Sequence, residues 1–244
     1  MAQLSGFQRL TERLFQKGGE SSRSRRLSFW LLNGFVIFGL FFALTQAFLY
    51  SWTGSLYAPG EGYRLDGLFF GLDNKIPFVP RMAVVYLYIY YPWIFISMLF
   101  FTFFGCEHGL KLGIILFIVG ALSTVVYIVF PVSTHWWRQD LLANRLIDNY
   151  WAETMYRYYE RDTSFNCLPS LHAAVSTVVA YSWLQFWKTR KTPLRLSAAL
   201  ASIVFAAGTV VSTLFVKQHY IADEIAGMAL GFAVIATVFR FLFS

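Results

Sequence analysis

The stretch Leu112–Thr134, LGIILFIVGALSTVVYIVFPVST, runs for 23 residues without a charged side chain. A helix rises 1.5 Å per residue, so about 20 apolar residues cross a bilayer core of about 30 Å. Five further stretches read the same way: Phe29–Tyr50, Met82–Cys106, Leu168–Trp187, Leu196–Val216 and Tyr220–Phe243. Within them the charged residues and histidines are His172, then Asp223 and Glu224 in one first turn, and Arg240 near the end. The composition agrees. Hydrophobic residues make up 57% of the 244 and charged residues 14%, against roughly 25% charged in a soluble domain. These numbers exclude a soluble enzyme, a disordered tail and a coiled coil. The expected fold is all-α: a polytopic membrane protein whose six transmembrane helices form a bundle across residues 29–244.

Charge sets the expected orientation. The net charge is +7, and the basic residues flank apolar runs, which points to topology and anionic headgroups. No nucleic-acid motif is present, so the expected partners are the lipid bilayer and a substrate within it. Twelve Lys and Arg fall in the N-terminal tail, the second and fourth connections and the C-terminus, and eight fall on the opposite side. Both termini are therefore expected in the cytoplasm. Residues 1–28 lack the short apolar stretch and cleavage site of a signal peptide. Leu4, Phe7, Leu10 and Leu14 share a helical face, with Arg9, Arg13 and Lys17 elsewhere. That segment reads as a basic amphipathic helix on the inner leaflet, or as a solvated tail.

The chain holds four His, at 108, 135, 172 and 219. His108 falls in a short inner connection and His135 in an outer loop rich in Trp and Tyr, both as structural residues. His172 lies in Asn166-Cys-Leu-Pro-Ser-Leu-His, at the outer end of the fourth apolar stretch. His219 opens the sixth, in Lys217-Gln-His-Tyr-Ile-Ala-Asp223. Spacing of four would put His219 and Asp223 on one helical face, where the carboxylate can fix the imidazole tautomer. Ionisable groups at membrane depth are functional candidates. Pro169 suits a first helical turn, and free N–H groups around Ser170 would seat a phosphate.

Pro-Ser-Leu-His at 169–172, followed by Ser212 … His219 … Asp223, resembles the type-2 phosphatidic acid phosphatase family, whose core is shared with the vanadium haloperoxidases. Its three motifs are K-x6-R-P, P-S-G-H and S-R-x5-H-x3-D. This chain departs from them. Arg138 matches the first motif's Arg, but Pro131 stands at its Lys and Gln139 at its Pro, and Thr213 replaces the third motif's Arg. Lys217 is a candidate replacement, with Lys75 or Arg81 as weaker ones. The inositol-phosphoceramide and sphingomyelin synthase-like branch also relaxes these positions.

The resemblance implies catalysis without cofactor or metal. His219 would attack phosphorus to form a phosphohistidine, Asp223 would orient it, and His172 would act as acid and then base. Arg138, Lys217 and Ser170 would bind the phosphoryl oxygens. The expected function is hydrolysis of a lipid phosphomonoester or pyrophosphate, with transfer of a phospho-headgroup to an alcohol as the alternative. The active site would face the periplasm of a bacterial inner membrane, or the lumen in a eukaryote. A zinc hydrolase using His172, His219 and Asp223 as ligands is a competing class. A transporter would show repeats or broken helices, and neither is legible.

Overall fold

The computed structural model describes residues 48–58, 60–104 and 106–242. The basic segment 1–28 and most of the first expected span, Phe29–Tyr50, lie outside the described residues. A short helix, α1 (Leu49–Gly54), leads into an irregular strap that contains α2 (Leu72–Lys75). A 3-10 turn at Pro80–Met82 and a π-helical stretch at Val84–Ile89 then run into α3 (Tyr90–Phe104), followed by α4 (Cys106–Val129). Two ten-residue helices follow, α5 (His135–Asn144) and α6 (Tyr150–Tyr159). The chain closes with α7 (Leu171–Thr189), α8 (Pro193–Phe215) and α9 (Ile221–Leu242).

Among the described residues, four helices are long and apolar enough to cross a membrane: Pro80–Phe101, Lys111–Val129, Pro193–Phe215 and Ile221–Val238. The chain is an integral membrane protein. The expected fourth span, Leu168–Trp187, is a 19-residue helix, α7. Its His, Ser, Thr and Gln side chains keep it outside the four apolar helices, and its position explains them. Buried residues occur on every side of it, from Leu171 through Ala173, Ala174 and Val175 to Phe186. It is the central helix, sheathed by the others. Val175, Val178 and Val179 meet Trp93, Met98, Leu116 and Ile235 in the main core.

Glycine sets how closely α9 approaches α7. A β-carbon at Gly227 would stand 2.2 Å from the carbonyl oxygen of Ser170, and one at Gly231 would stand 3.0 Å from that of Ala174. Two small residues four apart let backbones touch. The start of α7 and the start of α9 are thereby brought together, with Ser170 N–H donating to Asp223 C=O at 2.9 Å.

Helix boundaries differ from the apolar runs for local reasons. Helix α4 begins at Cys106 and stops at Val129, because Pro131 lacks an N–H and cannot continue it. The chain between α4 and α5 leaves the helix, and Val132 pairs with Tyr63 in an isolated parallel bridge. The region from 135 to 167, expected as loop, contains α5 and α6. The Asn149 side chain caps α6 through the N–H groups of Trp151 and Ala152, each at 3.0 Å. Ala152, Met155, Tyr156 and Tyr159 repeat at helical spacing and bury one face against Ala83, Tyr86 and Val216. Thus α6 roofs the end of the bundle where α7 and α9 begin.

Candidate active site

Both candidate histidines sit at that end. His172 is the second residue of α7, whose N-cap is Ser170: the Ser170 hydroxyl accepts the N–H of Ala173 at 3.2 Å. Pro169 therefore lies ahead of the helix, not in its first turn. His219 also lies outside a helix, because α9 begins at Ile221. The turn still brings its Nδ1 to 3.6 Å from Asp223 Oδ2. A left-handed residue, Lys217 at φ +53°, turns the chain out of α8 into this segment.

The two imidazoles face each other, with His172 Nδ1 3.1 Å from His219 Nε2. His219 Nδ1 lies 3.0 Å from the carbonyl oxygen of Cys167. A carbonyl can only accept, so Nδ1 carries the proton and Nε2 is left with its lone pair. His172 Nδ1–H then donates to that lone pair. Burial pushes the His219 imidazole down to about 3, and the Arg138 charge adds to the effect. His219 is neutral near pH 7, with an unprotonated nitrogen aimed at His172. Asp223 Oδ2 accepts Tyr220 N–H at 2.8 Å, and Oδ1 is buried with no hydrogen-bond partner among the described residues.

Arg138 is 3% exposed and sits in the first turns of α5. Its Nη1 donates to Asp162 Oδ2 at 2.7 Å and its Nη2 to Gln218 Oε1 at 2.6 Å. Its Nε and the amide nitrogen of Gln218 are both buried without hydrogen-bond partners among the described residues. A cavity of about 40 Å³ joins Arg138 and Gln218 to both histidines, walled by Tyr50, Tyr90, Tyr91, Tyr127, Tyr158, Phe165, Asn166 and Leu171. It has room for a water or two. Tyr86 and Tyr90 hold the His172 ring at centroid distances of 5.0 and 4.9 Å.

The other sequence candidates stand apart from this cavity. Lys217 Nζ donates to the backbone carbonyl of Asp73 at 3.0 Å and lies 4.4 Å over the Trp137 ring. Burial lowers its pKa. Lys75 and Arg81 are exposed. Ser170 has its hydroxyl on the α7 cap and its N–H on Asp223. Thr213 bonds the buried Glu224, Oγ1 to Oε1 at 2.7 Å. Arg138 pairs with Asp162 and not with Asp140, the acid nearest in sequence.

Sequence reasoning missed Gln218, Asp162, Asn166 and the tyrosine walls. Gln218 had the one usable signal, an uncharged polar residue directly before His219. The others come from separate segments. The metal reading also changes membership: Cys167, His219 and Asp223, not His172, have ligand atoms within 4.8 Å of one another. They fit a metal poorly. Burial pushes the Cys167 thiol up, and that thiol donates to Ser164 C=O at 3.3 Å.

A family model described as the PAP2 superfamily matches residues 68–237. The chain belongs to the PAP2 superfamily. The matched span runs from the strap to the end of the apolar part of α9, so this PAP2 chain has its histidine pair, Arg138 and Asp223 inside the family region. Membership points to phosphatase-type chemistry on a phosphorylated substrate at a membrane. Neither the curated proteins nor the solved structures show a significant match to it.

Proposed function

We propose that the protein is a metal-independent lipid phosphatase that cleaves a phosphomonoester or pyrophosphate through a phosphohistidine. The observation that carries this reading is the tautomer lock: Cys167 C=O holds the proton on His219 Nδ1, leaving Nε2 free toward His172. The substrate phosphoryl enters between the two rings and parts them. His219 Nε2 forms the bond to phosphorus as the bond to the lipid oxygen breaks. The negative charge of the bound phosphoryl group favours a second proton on His172, and the resulting imidazolium gives one proton to that departing oxygen. Asp223, 3.6 Å from Nδ1, stabilises the positive charge on the phosphorylated ring. Water then attacks phosphorus, passing its proton to His172, and His219 leaves.

Arg138 and Gln218 supply buried N–H groups at the cavity for the phosphoryl oxygens. Ser170 and Lys217 hold the frame: one caps α7 and ties it to α9, and the other ties the His219 segment to the strap. The catalytic end faces the periplasm or a lumen, with both termini in the cytoplasm, because Lys and Arg favour the opposite side by twelve to eight.

A second reading, transfer of a phospho-headgroup to an alcohol, is favoured by one observation. A second cavity of about 410 Å³ lies against Arg138, lined by His135, Gln139, Asp162, Thr163 and Ser164. It offers hydroxyl-binding groups beside the same arginine, as the inositol-phosphoceramide synthase-like branch would need.

Incubating purified protein in detergent with a panel of lipid phosphates, with and without acceptor alcohols, separates the readings. Hydrolysis yields free phosphate and transfer yields a new phosphodiester. Vanadate should inhibit and a chelator should not. Inhibition by chelation alone would overturn the metal-independent mechanism.

A further inference from the structure

The strap ahead of α3 is fixed at its base and apolar at its tip. Tyr63 stacks on Phe130 at 4.4 Å and donates its N–H to Pro131 C=O at 2.7 Å. Those partners directly follow Val129, where one membrane-length helix ends, and Pro80 opens another. Both attachments of the strap therefore lie where apolar helices meet the bilayer boundary. Between them Leu68, Phe69, Phe70 and Leu72 are 62, 37, 100 and 50% exposed. Phe70 has φ +53° and Gly71 φ +69°, a left-handed pair that directs the tip away from the protein. Four large apolar side chains within five residues are costly in water. At the headgroup–acyl boundary they bury that surface.

The next residue turns inward. Asp73 is 1% exposed. Its Oδ1 accepts the N–H of Ile221, the first residue of α9, at 2.8 Å, and its carbonyl accepts Lys217 Nζ at 3.0 Å. Asn74 Oδ1 accepts Trp137 Nε1 at 3.0 Å. The four residues of α2 thus carry an exposed apolar side chain and a bracket that grips the chain on both sides of His219.

We propose that Leu68–Leu72 inserts into the lipid surface on the catalytic side of the bilayer, and that Asp73 transmits this contact to the His219 segment. The occupant of the apolar tip is the headgroup–acyl boundary of the surrounding phospholipid. Asp73 is a positioning residue: it reaches the chemistry through the backbone at 217–221. The membrane contact stands independently of the lipid-phosphate reading, and only the effect on turnover rests on that reading.

The contact is tested by labelling a Phe70→Cys variant of the full chain with an environment-sensitive nitrobenzoxadiazole dye in phosphatidylcholine vesicles, with the parent chain as labelling background. Blue-shifted emission, quenched by lipids brominated near the glycerol end of the acyl chain, is expected. Quenching by aqueous iodide without bromolipid quenching would overturn the insertion. The coupling is tested on two substrates, a vesicle-embedded lipid phosphate and a water-soluble phosphate ester. A Leu68→Ser/Phe70→Ser variant should lose about fivefold or more in kcat/KM on the first and little on the second. Equal losses on both would overturn the coupling. Asp73→Ala should lower kcat on both by about tenfold, with Asp73→Asn, which keeps the Oδ1 acceptor, near the parent. An Asp73→Ala variant with parental kcat would also overturn it. A parent inactive on both substrates would refute the phosphatase reading, while the quenching would still decide the insertion.

Discussion

His172 Nδ1 lies 3.1 Å from His219 Nε2, and the bond has a direction, because Cys167 C=O claims the only proton on the His219 ring. In the proposed mechanism the pair is a donor and a nucleophile closed on each other. Removing either ring should therefore leave the fold and abolish turnover by different routes. His219→Ala should lose more than 10³-fold in kcat and form no covalent phosphoenzyme. His172→Ala should still take up phosphate on His219 from a substrate with a good leaving group, and then stall. Acid-labile, base-stable phosphate on the His172→Ala protein, trapped by rapid quench, checks this assignment. A labelled His219→Ala protein would refute it.

Protonating the buried His219 should destabilise the fold. Its pKa is pushed from the ordinary value of 6.5 to about 3 by burial, with Arg138 adding to it. The folded protein thus binds fewer protons than the unfolded chain between those values. Its contribution is fully present above pH 6.5 and is lost as pH falls toward 3. The loss between pH 7 and pH 4 should be on the order of 3 kcal/mol. Melting curves in detergent should show a smaller drop in Tm over that range for His219→Gln, whose side chain does not titrate.

Arg138 and Asp162 form a buried pair at 2.7 Å. Arg138→Ala strands the Asp162 carboxyl, which burial already pushes upward against the pull of Arg138. Stability should fall by about 3–5 kcal/mol. Activity should fall by roughly 10²-fold or more, as for loss of one charged contact to the transition state. Arg138→Ala/Asp162→Asn should recover much of the Tm and none of the activity. Recovery of both would show that Arg138 is purely structural.

Close approach of α9 to α7 depends on Gly227. Gly227→Ala would put a methyl 2.2 Å from Ser170 C=O, a backbone atom that cannot swing aside. The start of α9 must retreat, and the Ser170 N–H to Asp223 C=O bond goes with it. A stability loss of about 2 kcal/mol or more and a large drop in kcat are expected. Gly208→Ala is the control, because among the described residues its methyl would meet only Val85 Cγ1 at 3.7 Å. Similar behaviour of the two variants would show that the α7–α9 contact does not set the geometry of the site.

Chain-local physics made much of this protein legible in the sequence. Apolar runs of 20–25 residues mark helices because every backbone group in lipid must bond within its own segment. His172, His219 and Asp223 were recognisable because each lies within a few residues of its motif partners. Lys217 was legible as a cation and not as to its target: a left-handed backbone at that residue sends its ammonium to Asp73 C=O. Central burial of α7, the pairing of Arg138 with Asp162, and the tyrosine walls come from segments tens of residues apart. Only tertiary packing could decide them. Spacing along one helix suggested that His219 and Asp223 would share a face. The folded chain brings them together by a turn ahead of the helix, because Asp73 and Asp223 both cap the backbone there, at Ile221 and Tyr220. Sequence determined which groups are candidates for the chemistry. The meeting of α7 and α9 across Gly227, with a carbonyl fixing one proton, decided how they face each other.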